Sequence, residues 1–176
     1  ILWINLITDG FCDKALATER GRGNELHVAP ASAKENIINR EIVPFLLLNT
    51  ILMTSMALVA FHHYLPAGIE KARTVVLIVM GFSQLFNVFN MRNLKGSAFK
   101  VGLFSNKWVN YALVVSITIQ VLIIEVPALA GLFKFQPLSV WEFFGWAAIS
   151  SLVFWVTEMY KLIATSYETG FSSSKS

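Results

Sequence analysis

The chain has 176 residues, of which 55% are hydrophobic and 14% are charged, and its mean hydropathy is +0.59. Soluble domains usually carry about 25% charged residues, so the composition excludes an ordinary water-soluble globule. A single cysteine excludes a disulfide scaffold, and the net charge of +3 indicates basic loops beside a membrane surface, with no nucleic-acid partner.

Five apolar segments follow one another along the chain, and the first of them already begins at Ile1. A helix needs about 20 mostly apolar residues to cross a bilayer, and backbone at membrane depth must satisfy its own hydrogen bonds. We therefore predict an all-α membrane bundle of about five transmembrane helices, which forms the C-terminal piece of a longer protein. The predicted spans are 1–17, 42–64, 73–91, 107–126 and 138–162, and a polar tail covers 165–176.

The basic residues between the spans predict the orientation. Of the 14 Lys and Arg residues, only Lys71, Arg73 and Lys134 fall on one side of the predicted bundle, and the rest fall on the other. Cytoplasmic loops carry the excess of positive charge in membrane proteins. The first span is therefore predicted to run from outside to inside, and the C-terminus is predicted to be cytoplasmic.

Asp9 gives the strongest indication of chemistry, because a carboxylate within a span costs at least about 2.5–3.5 kcal/mol. Asn5, Thr8 and Asp9 fall on one helical face at about 100° per residue. Their side chains offer the oxygen ligands that hard cations prefer. Gly10 follows directly and permits a local unwinding near the middle of the first helix. The alternative is a frayed helix end with a solvated Asp9.

A second polar stripe lies in the segment 73–91, where Ser83, Asn87 and Asn90 share one helical face and Gln84 lies about 60° to one side. Amides in membrane bundles ordinarily form hydrogen bonds between helices, and this is one interpretation of the stripe. The other interpretation is that Gln84 contacts a cation or a water that hydrates it.

The other ionisable side chains are predicted to be structural. Glu125 and Glu158 lie near span ends, where water or snorkelling can solvate them. His62 and His63 are adjacent in sequence, so they do not share a helical face and are predicted to be surface residues. Cys12 is predicted to be an inert small residue. We find no nucleotide-binding loop and no nucleophilic triad in the sequence.

Several stretches together resemble the C-terminal region of type II P-type cation-transporting ATPases, helices six to ten. The first is ILWINLITDG, which is similar to the sixth helix of the calcium and sodium pump group. In the same order come ARTVVLIVMGFSQLFNVFN, GLFSNKWV and IEVPALAGLFKFQPLSVWEFF. The resemblance covers about residues 1–164, which we take as one transmembrane domain.

The resemblance implies a set of cation ligands. In these pumps an Asn, a Thr and an Asp of the sixth helix coordinate the transported cation, which maps onto Asn5, Thr8 and Asp9. Gln84 matches an eighth-helix position that is a Glu in calcium pumps with two sites. The neutral amide here favours one Ca²⁺ per cycle. Calcium is the leading candidate for the ion, ahead of Na⁺, Mn²⁺ and Mg²⁺.

The sequence also departs from the family pattern. Family members usually continue with a Leu-Pro-Ala stretch after TDG, whereas this chain has Phe11, Cys12, Asp13 and Lys14. Asp13 and Lys14 are predicted to form an interfacial ion pair with a neighbouring span or loop, and Asp13 is a hypothetical extra charge near the exit path. The next loop usually carries a Pro-Pro motif, of which only Pro30 is recognisable here.

The resemblance also implies partners that this chain does not contain. The phosphorylated Asp of the DKTGT motif, the nucleotide-binding and actuator domains and the first five helices are absent from the sequence. ATP and Mg²⁺ are therefore expected to act only through those domains, and this chain alone is expected neither to hydrolyse ATP nor to transport ions. The expected partners are the lipid bilayer and the N-terminal remainder of the pump. The alternative is a stand-alone, non-enzymatic membrane module that binds or regulates a partner protein.

Overall fold

A computed structural model describes residues 10–19, 42–94 and 96–173, with side chains as far as Ala164. Every regular element in these ranges is helical, which confirms the predicted all-α membrane bundle. The α-helices are α1 (Gly10–Leu16), α2 (Val43–Tyr64), α3 (Ile69–Met91), α4 (Lys107–Glu125), α5 (Pro127–Phe133), α6 (Val140–Ser150) and α7 (Leu152–Ser173), with 3-10 turns at Leu65–Ala67 and Ala98–Lys100.

Four helical stretches are long and apolar enough to cross a membrane. They are Val43–Ala67, Ile69–Met91, Lys107–Glu125 and Val140–Ala164, and they correspond to the last four predicted spans. Of the first predicted span, 1–17, the structure describes only residues from Gly10 onward, where α1 begins. Asn5, Thr8 and Asp9, and most of the predicted unwinding, lie outside the described residues.

Helix α3 is the centre of the bundle and packs against α2, α6 and α7. It is apolar on nearly every face, as expected of a helix that neighbours surround on several sides. The rings of Phe82 in α3 and Phe143 in α6 meet edge to face with centroids 5.5 Å apart. The core around it consists of Met56, Ala60, Val75, Leu77, Ile78, Val79, Phe82, Ile124, Leu138 and Val153.

Two span boundaries differ from the prediction. Helix α3 begins at Ile69 and not at residue 73, directly after Gly68 with φ 120°, and Lys71 in its first turn forms an ion pair with Glu142 at 2.7 Å. The segment between the predicted spans 107–126 and 138–162 contains the short helix α5, whose C-cap Lys134 is in the left-handed conformation with φ 55°. Charged and proline residues were therefore misleading as span limits at these two positions.

The last predicted span, 138–162, is divided into α6 and α7 at Ser151. The Ser150 hydroxyl donates to the carbonyl of Trp146 at 2.8 Å, and the Ser151 hydroxyl donates to the carbonyl of Ala148 at 2.6 Å. Serine hydroxyls that bond to the preceding turn compete with the backbone ladder and bend helices. The serine pair is thus a physical cause of the break, which the hydropathy pattern does not reveal.

Candidate cation site and its surroundings

Gln84 is the member of the predicted ligand set that the structure describes. It is partly buried in α3, and its Oε1 atom is buried without accepting a hydrogen bond from any described residue. A buried carbonyl oxygen ordinarily has a donor, an ordered water or a cation as its partner. The orphaned Oε1 is therefore chemically suited to a hard cation or to a water that hydrates one.

Helix α1, which the structure describes from Gly10 onward, packs against the part of α3 that includes Leu85 and Val88. Cys12 and Ala15 of α1 join Leu85 and Val88 of α3 in one apolar cluster. The same cluster includes Val109, Ala112 and Leu113 of α4, which is the main neighbour of α1. The packing brings the start of α1 close to the part of α3 that carries Gln84. Cys12 is buried within it, as expected for a small apolar residue.

Hydrogen bonds between helices, one of the two interpretations of the polar stripe of α3, are found at one end of the stripe only. Asn90 Nδ2 donates to the carbonyl of Val153 in α7 at 3.3 Å, so the prediction of a hydrogen bond between helices is confirmed at this position. Asn90 also bonds to Asn87 Oδ1 at 3.3 Å. The buried Ser83 hydroxyl has no hydrogen-bond partner among the described residues. Only one end of the stripe is thus accounted for by contacts between helices.

Sequence reasoning missed a second buried amide, Gln120 of α4. Its Nε2 donates to the carbonyl of Leu77 in α3 at 3.0 Å, whereas its Oε1 is buried without a described partner. A Cβ atom on Gly81 would lie 2.3 Å from that Nε2, so only a glycine admits this close approach. Gln120 therefore reaches α3 about one turn from Gln84. A glycine within one apolar span and a glutamine within the next are the sequence signals of this contact.

An ion pair between Glu19 and Arg92 closes the end of the bundle at which α1 stops. Arg92 Nη2 and Nε donate to Glu19 Oε1 and Oε2 at 2.8 and 2.9 Å. Hydrogen bonds from Arg92, opposed in part by burial, hold the pKa of the Glu19 carboxyl below its usual value. Arg92 is buried, although it belongs to the basic residues between spans from which the orientation was predicted.

A second ion pair at the same end corrects the prediction for Glu158. This residue was expected to be solvated at a span end, but it is buried in α7 with Lys161 as its partner. Glu158 also accepts from the Ser97 hydroxyl at 2.7 Å and from the backbone N–H of Ala98 at 3.1 Å. Lys161 Nζ donates in addition to the carbonyl of Asn93 at 3.1 Å. The loop after α3 supplies donors that replace water here.

Four other ionisable residues considered in the sequence are exposed. His62 and His63 are exposed at the end of α2, and Asp13 and Lys14 are exposed on α1. Within the described ranges, no group of three His, Cys, Asp or Glu side chains could hold a metal ion. The predicted cation ligands are not a group of this kind, because Asp9 is the only acidic residue among Asn5, Thr8, Asp9 and Gln84.

Comparison with known proteins agrees with the resemblance to cation-transporting ATPases that the sequence shows. The family described as "Cation transporting ATPase, C-terminus" matches residues 1–163. Calcium-transporting ATPase 1 of Bacillus cereus is 32% identical over 182 residues, which cover 92% of this chain and 20% of that protein. Calcium-transporting ATPase type 2C member 1 of Mus musculus is 29% identical over 96% of this chain and 18% of its own length. The chain thus spans about a fifth of the relatives that it matches.

Proposed function

Because the chain belongs to the family of cation-transporting ATPase C-terminal regions, we propose that it supplies part of the membrane pathway of an ATP-driven cation pump. Ca²⁺ is the proposed cation, since the relatives above are named calcium-transporting ATPases. The chain is a multi-pass membrane protein with four apolar spans in the described ranges. We propose in addition that its C-terminus is cytoplasmic.

The observation that carries this proposal is the orphaned Gln84 Oε1 within a membrane span, in the helix whose next residue, Leu85, packs in one cluster with Cys12 of α1. An unpaired carbonyl oxygen is costly at membrane depth unless a donor or a cation satisfies it. In the proposed site Asp9 supplies negative charge, and Asn5, Thr8 and Gln84 supply neutral oxygens. One carboxylate with neutral ligands favours a single Ca²⁺ per cycle.

The remaining parts of the pump lie outside this chain. ATP and Mg²⁺ are proposed to act through domains in the remainder of the protein, which phosphorylate an aspartate and switch cation access by domain movement. The role of this chain is then to hold ligands within the bilayer and to move with those domains. The lipid bilayer and the N-terminal part of the pump are its proposed partners.

The test uses the full-length pump that contains this chain, with equilibrium binding of radioactive Ca²⁺ and Ca²⁺-dependent ATP hydrolysis as readouts. Asp9→Asn is expected to abolish both, because it removes the charge that repays dehydration of the ion. Gln84→Leu is expected to raise the Ca²⁺ concentration for half-activation by about tenfold, the effect of one lost ion–oxygen contact.

Glu125→Gln is the matched control, since it makes the same kind of change at an exposed carboxylate at the end of α4. It is expected to leave Ca²⁺ binding unchanged. Full Ca²⁺ binding by Asp9→Asn would contradict the proposed site. It would instead favour a membrane module that acts by binding a partner protein.

A further inference from the structure

A crevice runs along the line where α1 packs against α4. Its cavity volume is about 240 Å³, and its lining is almost entirely apolar. On the α1 side it is lined by Phe11, Lys14, Ala15 and Thr18. Residues at this spacing, three, four and seven positions after the first, share one side of a helical segment. We call this crevice the α1–α4 groove.

Helix α4 contributes its first two turns to the other wall of the groove. The lining residues there are Trp108, Tyr111, Ala112 and Val115, at the same helical spacing. Ala15 and Ala112 are buried, whereas Trp108 and Tyr111 are 65% and 64% exposed and meet edge to face with centroids 6.4 Å apart. Small side chains therefore form the floor, and exposed aromatic rings, which are favoured at the headgroup level of a membrane, form a rim.

The groove changes from polar to apolar along its length. Thr18 Oγ1 lies 3.4 Å from the side chain of Asn106, the N-cap of α4, so one end of the groove is at the loop 92–106. Phe11 and Val115 lie about 10 Å deeper, since seven helical residues rise by roughly that distance. A phospholipid has the same order, with a polar headgroup at the interface and acyl chains below it.

The charges near the groove favour an anionic headgroup. Lys14 lines the groove and is exposed, so its stem can lie along the apolar wall while its ammonium reaches the interface. Lys107, the first residue of α4, is exposed at the same end. Asp13 does not line the groove, and Glu19 is paired with Arg92. A lipid phosphate would thus meet lysines here, and a lipid without a cation of its own would benefit most.

We propose that the α1–α4 groove binds an anionic phospholipid. One acyl chain lies on the floor of Ala15 and Ala112, and the phosphate contacts Lys14 at the end of the groove. The competing occupant is another helix of the same pump. Contacts between membrane helices favour small residues that let backbones approach closely, whereas exposed rings and a lysine rim this groove. The inference goes beyond the proposed function, because it concerns a lipid and no residue of the cation site.

The test uses the full-length pump in phosphatidylcholine nanodiscs that contain a minor fraction of a lipid with a photoactivatable acyl chain. The labelled lipid is either phosphatidylglycerol or phosphatidylcholine, and mass spectrometry identifies the labelled peptides. We expect phosphatidylglycerol to label the peptides of Phe11 and Val115 about fivefold more, the factor that one lysine beside an anionic surface contributes. Equal labelling by the two lipids overturns the proposal. Absence of labelling, as when another helix covers the groove, overturns it as well.

Two pairs of variants locate the effect in the groove. Lys14→Gln is expected to remove the preference for phosphatidylglycerol, whereas Lys100→Gln, the same change at an exposed lysine of the loop 92–106, is expected to keep it. Val115→Trp fills the groove and is expected to lower the labelling of Phe11 by both lipids several-fold. Val114→Trp is its control, because Val114 is 62% exposed on α4 and does not line the groove.

Two results with the variants would contradict the site. One is a preference for phosphatidylglycerol that persists in Lys14→Gln, and the other is an equal loss of labelling in Val114→Trp and Val115→Trp. If a variant fails to fold, the comparison of the two lipids in the unmodified pump still decides. The readout is lipid labelling, so normal Ca²⁺ binding by Asp9→Asn would refute the proposed function and leave this inference standing.

Discussion

The two ends of the bundle hold their charges in different ways. At the end formed by the loop 92–106, the side chains of Arg92 and Lys161 are only 1% and 2% exposed. At the opposite end, Lys71 and Glu142 form an ion pair at 2.7 Å in which both side chains remain 25% exposed. The same kind of contact is therefore enclosed by protein at one end and reached by water at the other.

The difference follows from the chain segments that cover each end. The loop 92–106 presents carbonyls to both cations and the Ser105 hydroxyl to Arg92. At the opposite end the connections are short, and the polar bonds are mostly local. Glu142 accepts from the backbone and the hydroxyl of Ser139 in a capping box at the start of α6. Water can replace local bonds of this kind, whereas at the enclosed end it reaches Glu19, which is 22% exposed, but neither cation and not Glu158.

The largest expected effect comes from breaking the most buried pair. Lys161→Met leaves the Glu158 carboxylate enclosed with only the Ser97 hydroxyl and the Ala98 N–H as donors. Loss of one partner of a buried ion pair typically costs about 3–5 kcal/mol. The free energy of unfolding, measured by equilibrium unfolding in mixed micelles, is expected to fall by this amount.

The double variant Glu158→Gln/Lys161→Met separates burial of an unpaired charge from loss of packing. Because it removes both charges, it is expected to recover a large part of the stability that Lys161→Met loses. A double variant that is less stable than either single one would show that the pair contributes net stability, which contradicts this account.

The sequence predicted the positions of the spans far better than the surroundings of the charged side chains. Hydropathy placed α2 and α4 within a residue or two, because the bilayer sets the length and the composition of a span. It counted Arg92 only as a basic residue between two spans, and it treated Glu158 as solvated. Arg92 pairs with Glu19, and Glu158 accepts from donors in a loop that is remote in sequence from α7, contacts on which a local pattern contains no information. Only the pairing of Glu158 with Lys161, three residues later in the same helix, could be inferred from local spacing.

The candidate site shows the same difference between residues that stand out in the local sequence and contacts that depend on how the helices pack. Gln84 was singled out because an amide in an apolar run stands out; its Oε1 is buried without a partner among the described residues, and its role as a ligand stays a prediction. Gln120 was missed, since its approach to Leu77 and Gly81 depends on how α4 packs against α3. Asn5, Thr8 and Asp9 remain predictions from the sequence and the resemblance, because they lie outside the described residues.

A smaller effect, which depends on pH, is expected at Glu19. Hydrogen bonds from Arg92 hold the pKa of the Glu19 carboxyl below its ordinary value of 4.5, so folding favours the charged form. Its contribution is fully present above pH 4.5 and is lost as the pH falls through the lower pKa of the folded state. At neutral pH, Glu19→Gln is expected to cost about 1–2 kcal/mol, as for a hydrogen-bonded charge.

The measurement is the unfolding midpoint of both proteins between pH 3 and pH 8, a range of about five units around the transition. The two midpoints are expected to differ at neutral pH and to converge in acid, where the carboxyl of Glu19 becomes protonated. A constant difference across the range would mean that the ionised form is not what stabilises this contact.

The smallest effect is expected at the opposite end of the bundle, for Lys71→Met. Water reaches both side chains of the pair, and Glu142 keeps its bonds to the Ser139 N–H at 3.0 Å and hydroxyl at 2.9 Å. Neither charge is left enclosed, so the loss of unfolding free energy is expected to stay below about 1 kcal/mol. Added salt is expected to reduce it further, since salt screens exposed pairs more than buried ones.

Lys107→Met makes the same chemical change at an exposed position beside the loop 92–106 and calibrates the effect of a lost surface charge. If exposure sets the strength of these pairs, Lys71→Met and Lys107→Met differ by only a few tenths of a kcal/mol, within the usual range for surface substitutions. Lys161→Met then stands apart from both at every salt concentration. A loss for Lys71→Met as large as that for Lys161→Met would mean that enclosure by the loop is not what distinguishes the two ends.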